Sequence, residues 1–373
     1  MNTLADFLST CAPGLPPVFI PAATVDGWSR LTRHLPRTDV GFECRLGPHA
    51  GPVDLSLSLR RGDGRCARVL AALATAPSVW QVLGWWHIAD FCRAWESDSA
   101  LGSALEQVWL EFDEQDLTLD CPLPRVFFST EGLAAGSNPL AGPAGRILHL
   151  LGGAPPATTL AADVRAWCAP LPAHAAVYSM GTAVSGPVQR VRLAVSGLTP
   201  ETALAFAAAR GWPAPPPALL PLLRSIWQLA EFVVTGDAGD VAQTKTGFYV
   251  IPGRHCNRDR AVVEPLFAAL HAANLATSEQ CAAAGHWPHE EAEHQPHDWI
   301  APQDYFAAWL SGREVQLLVR RIVHAVKVEW QADGRITAKG YFGFRHRFAV
   351  PASAPPTFTP PFPNGCGKQK RFE

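Results

Sequence analysis

The sequence predicts an α+β fold in which ten antiparallel β-strands close into a barrel with helices on its outside. The prediction rests on repetition, because two candidate strands occur together five times along the chain, and nearly all of these pairs precede a stretch typical of helices, as in a ββαα unit. In each strand pair, polar and apolar side chains alternate, so one face of the sheet is apolar and the other polar. The five pairs are 41–46 with 53–60, 108–113 with 125–130, 176–181 with 188–195, 230–235 with 244–251, and 326–330 with 336–348.

Closure into a barrel follows from the number of strands. One hairpin with this alternation is typical of an open sheet whose polar face contacts solvent. Ten strands in one open sheet would leave two exposed edges, and wide twisted sheets tend to close. A barrel of about ten strands has room for a ligand inside. Helices that would cover its apolar outer face are predicted at 65–76, 78–96, 144–152, 159–167, 199–210, 218–224, 262–273, 278–284 and 303–321.

Two local signals within these elements are especially clear. Asp333-Gly334 separates the two alternating runs of the fifth pair, and an Asp-Gly sequence in this position predicts a type I′ hairpin turn. Thr199 followed by Pro200 predicts the start of a helix that Gly211 would end.

The repeat also sets the predicted domain bounds. Residues 1–40 form a helical or irregular lead-in, residues 41–350 one barrel domain, and residues 351–373 a Pro-rich tail that we expect to be disordered. The 31 Lys and Arg nearly balance the 33 Asp and Glu, which argues against nucleic acid as a partner. We expect a monomer or a weak dimer.

Three features predict a cytoplasmic protein. The N-terminus lacks the basic segment and apolar run of a signal peptide. The most apolar stretch, 69–88, is interrupted by Pro77 and Gly84, so no membrane span is predicted. The nine cysteines are scattered without a Cys-x-x-Cys pair, which predicts free thiols in a reducing compartment.

The polar strand faces would line the barrel interior, and they carry three kinds of side chain. Cations from several strands can bind a diphosphate, aromatic faces can stabilise a carbocation, and a carboxylate can act as a general base. The cations are Arg60, Arg125, Arg190, Arg192, Lys245, Lys327, Lys339 and Arg345. The aromatic residues are Tyr178, Tyr249, Tyr341, Trp109 and Phe127, and the candidate bases are Glu43 and Glu111.

These residues and the repeat resemble those of the ABBA prenyltransferases, which have five ββαα units closed into a ten-stranded barrel. The resemblance covers about 41–348, and its main motif is Lys339-Gly340-Tyr341, similar to the Lys-x-Tyr strand signature of that family. Arg190-Val191-Arg192 and the segment from Lys245 to Tyr249 occupy similar places, but their sequences differ from the usual motif of that family. Among the branches of that family, the chain is most similar to the cyanobactin-type branch, which modifies ribosomal peptides.

The resemblance implies transfer of a short allylic isoprenoid, such as dimethylallyl or geranyl, from its diphosphate to an acceptor. The acceptor would be a nucleophilic side chain of a peptide or an aromatic small molecule. Glu43 occupies the place of the acceptor-side glutamate, Arg60 on the partner strand would contact the diphosphate, and Glu111 is the second candidate for the base. No cofactor is required for this chemistry, and a role for Mg²⁺ is left open. The alternative is a non-catalytic barrel that binds an anion or a peptide.

Other motifs carry less chemistry. His286, His289, His294 and His297 could ligate a metal, but prolines interrupt the segment, and a solvated loop is the preferred interpretation. The acidic run 113–116 follows a strand and is interpreted as a solvated turn. Trp80, Trp85, Trp86 and Trp95 have roughly helical spacing, which predicts packing against the barrel wall.

Overall fold

A computed structural model describes residues 3–48, 51–62, 64–75, 82–119, 121–134, 139–239, 245–252, 260–293 and 316–349. Its strands are β1 Asp39–Arg45, β2 Val53–Arg60, β3 Gln107–Phe112, β4 Arg125–Ala134, β5 Ala176–Ala183, β6 Arg190–Ser196, β7 Glu231–Gly239, β8 Lys245–Ile251, β9 His289–Glu293, β10 Gln316–Gln331 and β11 Ile336–Ala349.

Ten of these strands form the predicted closed antiparallel barrel. Each strand from β1 to β7 pairs with the next one along the chain, β8 pairs with β10, and β11 pairs with both β10 and β1. The β11–β1 pairing closes the sheet, with Glu43 opposite Tyr341 and Arg45 opposite Lys339. The short strand β9 lies beside β10 outside this closed set. Closure leaves the ten barrel strands without an exposed edge.

The helices lie mainly between the strand pairs, as predicted. They are α1 Leu4–Cys11, α2 Ala22–Thr32, α3 Arg65–Thr75, α4 Leu83–Ser97, α5 Ser99–Ala104, α6 Pro143–Gly152, α7 Thr158–Cys168, α8 Pro200–Ala209, α9 Leu219–Trp227, α10 Arg260–Ala272 and α11 Ser278–His286. The predicted start of α8 is confirmed, since the Thr199 side chain accepts a hydrogen bond from the Thr202 amide.

Apolar residues on the outer strand faces form the core between the barrel and the helices. Leu55, Leu57 and Leu59 of β2 are fully buried, while the alternate residues of that strand face inward. Helices α1 and α2 of the lead-in cover the closing seam of the barrel, where Phe7 and Trp28 contact aromatic residues of β11 and β1 at 5.5 Å and 5.2 Å between ring centroids. These early helices thus pack where a fifth helix pair would otherwise lie.

Three sequence predictions need correction. Strand β10 begins at Gln316, so the predicted helix 303–321 is wrong over its last residues, and 303–315 lie outside the described residues. His289–Glu293 form a strand instead of a solvated loop. The Asp333-Gly334 turn is not type I′: only Gly334 has positive φ, at 86°, and its amide donates to Gln331, which is the pattern of a type I turn with a glycine bulge.

The chain divides into two compact units. One comprises Met1–Glu290 with Arg320–Arg345, and the other comprises Glu291–Val319 with His346–Glu373. In the second unit the structure describes strand residues at 291–293, 316–319 and 346–349. The single domain 41–350 therefore stays a prediction, and the tail 351–373 lies outside the described residues. The site described below lies entirely in the first unit.

Within the described residues no helix is both long enough and apolar enough to cross a membrane. Seven of the nine cysteines are described, and no two of these seven form a disulfide with each other.

Candidate active site

One cavity lies inside the barrel, and inward-facing residues of β1 to β8, β10 and β11 line it. We name its two ends by the connections nearby: the two strands of each pair join at the turn-side end, and the helices connect at the helix-side end. The wall between the ends is largely aromatic and small, and residues of this wall include Gly41, Ser56, Trp109, Phe127, Ala194, Tyr249, Tyr341 and Gly343. The predicted inward orientation of the polar strand faces is thus seen on every barrel strand that lines the cavity.

Glu43 and Lys339 form a buried ion pair near the turn-side end. They lie on β1 and β11, their side chains are each 9% exposed, and the Lys339 ammonium donates directly to the Glu43 carboxylate. The Tyr341 hydroxyl donates to Glu43 as well. The hydroxyls of Tyr341 and Tyr249 lie 2.9 Å apart, so Tyr249 can donate to Tyr341 in a chain that ends at Glu43. Lys-x-Tyr on β11 therefore brings both of its polar side chains to one carboxylate.

A second ionic cluster joins β8 and β10. The Lys327 ammonium lies 2.7 Å from the Glu329 carboxylate, and Lys245 lies 3.3 Å from the same oxygen. Lys327 also lies over the Tyr249 ring, 5.1 Å from its centroid, within the range of a cation–π contact. Burial, and then the neighbouring cations Arg192 and Lys339, lower the pKa of Lys327 despite Glu329. A second anion near these lysines would therefore be favoured electrostatically.

Arginines occupy the wall between β3 and β7. Arg192 donates from Nε to Asp237 at 2.9 Å, and the second hydrogen bond of this forked pair measures 3.4 Å. Arg125 makes a similar forked pair with Asp113, one of whose hydrogen bonds is 2.8 Å long. Arg190 is exposed at the turn-side end. All three arginines line a second groove there, and Arg192 also lines the main cavity.

The interior carboxylates have widely separated pKa values. Burial alone would raise the pKa of Glu43, but the charges of Lys339 and Lys327 and the hydrogen bonds to it lower that pKa to about 2. Burial, and then the charge of Glu43, raise the pKa of Glu111 to about 7, although Arg192 and Arg125 oppose the rise. Near neutral pH, Glu43 is therefore ionised while Glu111 exchanges its proton.

Asp54 is a third interior carboxylate, on β2 opposite Glu43. Burial, and then Glu43, raise its pKa to about 6, while the Glu114 amide, which donates to Asp54 at 2.9 Å, opposes the rise. Glu114 in turn accepts from the Val53 amide at 2.7 Å. The acidic run 113–116 therefore fixes the β1–β2 turn region and the Arg125 side chain, which corrects its interpretation as a solvated turn.

The helix-side end of the cavity holds a different set of polar groups. Arg345 on β11 contacts Nδ1 of His324 on β10 at 3.2 Å. Burial, and then Arg345, lower the pKa of His324 to about 3, so this imidazole is neutral. Asp39, Ser58 and Gln107 complete the lining at this end.

The predicted cations therefore divide between the two ends of the barrel. Arg345 follows Lys339 by six residues, about 20 Å along the strand. Arg60 ends β2 on the helix side, where its Nη1 lies 3.8 Å from Glu106. The turn-side set is Arg125, Arg190, Arg192, Lys245, Lys327 and Lys339. The aromatic candidates Tyr178, Tyr249, Tyr341, Trp109 and Phe127 all line the cavity between the two sets.

Four residues that shape the site were not among the predicted ones. They are Asp54, Gln107, Asp237 and His324. Asp54 shares its face with Ser56 and was detectable from the alternation in β2. Asp237 lies in the run 236–239, whose Gly and Asp residues resemble a turn, although β7 extends to Gly239. His324 lies between the predicted helix 303–321 and the predicted strand 326–330, so neither prediction assigned it a face.

Among the residues that the structure describes, no three His, Cys, Asp or Glu side chains are grouped so that they could hold a metal ion. His286 contacts the Ala282 carbonyl at 2.7 Å in the last turn of α11, and His289 is in β9. His294 and His297 lie outside the described residues.

The fold is that of the ABBA-type prenyltransferases. A 6-dimethylallyltryptophan synthase from Micromonospora olivasterospora, solved with DMASPP and Trp, superposes with a TM-score of 0.52 at 13% identity, covering 91% of this chain and 97% of that one. Prenyltransferase PriB, solved with L-tryptophan and dimethylallyl thiolodiphosphate, superposes with a TM-score of 0.50 at 12% identity, covering 92% and 96%.

A further structure of a 6-dimethylallyl tryptophan synthase gives a TM-score of 0.51 at 13% identity and covers 91% of this chain and 96% of that one. No protein-family model and no curated protein sequence matches the chain. At these identities the similarity shows the fold, and the sequence predicted it.

Proposed function

We propose that this protein transfers a short allylic isoprenoid from its diphosphate to a nucleophilic acceptor inside the barrel. The observation that carries the proposal is the order of groups inside the barrel: cations cluster at the turn-side end, where Arg192 lines the cavity, aromatic rings line the middle, and interior carboxylates lie beside both. Each stage of prenyl transfer needs one of these groups. The diphosphate needs cations, the allylic cation needs ring faces, and the acceptor proton needs a base.

In this proposal the turn-side cations hold the diphosphate. Lys245, Lys327, Arg192 and Lys339 already contact carboxylates, which keep the unliganded cavity close to neutral. A diphosphate would compete with these carboxylates for the N–H donors of the four side chains. The exposed Arg190 would be the first cation to contact it. As the carbon–oxygen bond breaks, negative charge grows on the leaving diphosphate, and fixed cations stabilise that charge more than the ground state.

The aromatic middle then surrounds the allylic cation. Tyr249 and Tyr341 are fixed by their mutual hydrogen bond, with ring centroids 5.2 Å apart, and Trp109, Phe127 and Tyr178 lie on other strands around the same space. Fixed rings of this kind stabilise a cation by roughly 2 kcal/mol or more where water is excluded. They also keep water from capturing the cation before the acceptor does.

For the acceptor we propose an aromatic side chain of the tryptophan type, presented either as the free amino acid or within a peptide. The aromatic middle suits a flat, electron-rich acceptor that stacks while it is alkylated. Support also comes from the two compared structures that carry tryptophan beside a dimethylallyl donor analogue. Within this proposal, the more specific suggestion is that the acceptor belongs to a peptide, as in the modification of ribosomal peptides.

The direct test is an incubation of the purified protein with dimethylallyl or geranyl diphosphate and a panel of acceptors. The panel contains free tryptophan, free tyrosine, indole and short peptides with and without tryptophan. Mass spectrometry of the acceptor should show the mass of one isoprenoid, and only with acceptors that carry the reactive ring. Tight binding of the donor analogue without any product would instead support the alternative, a non-catalytic barrel that binds anions.

We expect the reaction to continue after metal removal. The lysines and arginines at the turn-side end supply positive charge that Mg²⁺ supplies in other diphosphate enzymes. Turnover in excess EDTA should therefore stay close to turnover with added Mg²⁺. A complete loss of activity in EDTA that Mg²⁺ restores would contradict this assignment of the diphosphate site.

A further inference from the structure

We propose that Glu111, and not Glu43, receives the proton that the acceptor loses, and that Glu43 is a positioning residue that holds Lys339 and Tyr341. The inference rests on the proposed prenyl transfer and names the base within that same site. It reverses the assignment that the resemblance implies, where the glutamate of the first strand is the acceptor-side base.

Glu43 already accepts from two buried donors in the barrel. Lys339 and Tyr341 both donate to its carboxylate, and its side chain is only 9% exposed. To take a proton it would have to give up a buried ion pair on the strand that also supplies the diphosphate contact. A carboxylate in this position is better suited to orient these two hydrogen-bond donors than to take a proton from the acceptor.

Glu111 is the interior glutamate whose cationic neighbours are engaged elsewhere. Arg125 makes its forked pair with Asp113, and its Nη1 lies 3.8 Å from Glu111, beyond hydrogen-bonding distance. Arg192 makes its forked pair with Asp237. The Glu111 side chain is 16% exposed and lines the main cavity, opposite Ser56 in the β2–β3 register.

The groups that face Glu111 from the surrounding strands keep its proton affinity high. Glu43 from β1 and Asp54 from β2 favour the protonated form, whereas Arg125 from β4 and Arg192 from β6 favour the ionised form. Tyr249 from β8 and Tyr341 from β11 interact with it as well, and burial raises the pKa of both phenols, so they stay neutral. Burial and the two carboxylates together raise the pKa of Glu111 to about 7, close to the value that a general base needs at neutral pH.

The step balances without any further reactant. The allylic carbon–oxygen bond breaks, and its electron pair leaves with the diphosphate. A bond forms between the allylic carbon and the acceptor, whose electron pair supplies it. The proton at the alkylated atom, or on the ring nitrogen conjugated with it, passes to a Glu111 oxygen, and its former bonding pair restores the neutral acceptor. Diphosphate then leaves the barrel, and the protonated Glu111 carboxyl returns its proton to solvent.

The test compares Glu111→Gln with Glu43→Gln and Asp54→Asn, and uses Glu231→Gln, exposed at the start of β7, as the matched control. The kcat/KM for the donor is measured from pH 5 to 9. We expect kcat/KM of the wild type and of the control to rise with pH, and this rising limb of the pH profile should be centred near pH 7. Glu111→Gln should lose that limb and about 10²-fold or more in kcat. The other two variants should keep the limb, displaced to lower pH because each removes a negative neighbour.

A second measurement needs no substrate. Because folded Glu111 keeps its proton up to about pH 7 and the unfolded chain releases it near 4.5, the free energy of unfolding should fall as pH rises through this interval. Glu111→Gln should show a smaller fall than the wild type in urea titrations at each pH. An equal fall in both proteins would overturn the protonation behaviour that the proposal requires.

The outcomes separate the base assignment from the proposed function. A wild type that alkylates no acceptor overturns the function and the base together. An active wild type whose limb disappears in Glu43→Gln and persists in Glu111→Gln overturns the base assignment alone. Full activity of Glu111→Gln at pH 7 has the same meaning, provided that thermal melts show both glutamine variants to be folded.

Discussion

Replacing Arg192 by alanine should lower kcat for prenyl transfer by about 10²- to 10³-fold, the loss typical of removing one fixed donor from developing charge. Arg192 is the arginine that lines both the main cavity and the turn-side groove. Its forked pair with Asp237 holds the guanidinium in one orientation before the donor arrives. The effect should be on the chemical step as well as on donor binding, because the charge on the diphosphate is greatest after ionisation.

The measurement combines steady-state kinetics with calorimetric binding of a non-hydrolysable dimethylallyl diphosphate analogue. Arg192→Lys keeps a positive charge without the fork and should lie between the wild type and the alanine variant. Arg93→Ala is the matched control, since Arg93 is exposed on α4 and pairs with Asp90 at 2.7 Å. Unchanged analogue binding and turnover in a folded Arg192→Ala protein would show that the turn-side end is not the diphosphate site.

The fold was predictable because its signal is repeated. Each strand pair alternates with period two, and the apolar face of β2 became the buried outer face of the barrel with Leu55, Leu57 and Leu59 in the core. Five independent copies of that signal outweigh an error in any one of them. The strand pairs were accordingly predicted to within a few residues, except for β10, whose first half has no polar alternation strong enough to distinguish it from an apolar helix.

The arrangement of charges inside the barrel could be predicted only in part. Alternation shows which side chains face inward, but it does not show how far along the barrel axis each one lies. That height depends on the register between strands, which the sequence does not state. Lys339 and Arg345 were therefore grouped as one anion site, although six residues separate them on β11. The pairing of Arg192 with Asp237 could not be predicted either, because its prediction requires the length of β7 and the register of β7 with β6.

Truncating one partner of the Glu43–Lys339 pair should destabilise the fold more than removing both. Both side chains are 9% exposed, and Glu43→Ala would leave a buried ammonium without its main partner. Breaking a buried pair in this way costs about 3–5 kcal/mol of unfolding free energy. Replacing the pair by apolar residues of similar volume is often neutral or stabilising, so Glu43→Leu with Lys339→Met should recover most of that loss. Urea unfolding at pH 7 of Glu43→Leu, of Lys339→Met and of the double variant measures the coupling directly.

The pH dependence gives the same pair a second signature. Because the pKa of Glu43 is lowered from 4.5 to about 2 in the folded protein, its stabilising contribution is fully present above pH 4.5 and is lost as pH falls toward 2. The wild type should therefore lose stability on acidification through this range more steeply than the double variant, which has no carboxylate there. Additive losses in the two single variants, with parallel acid curves, would mean that the ammonium finds compensation from Glu329 instead, and that Glu43 does not hold Lys339 in position.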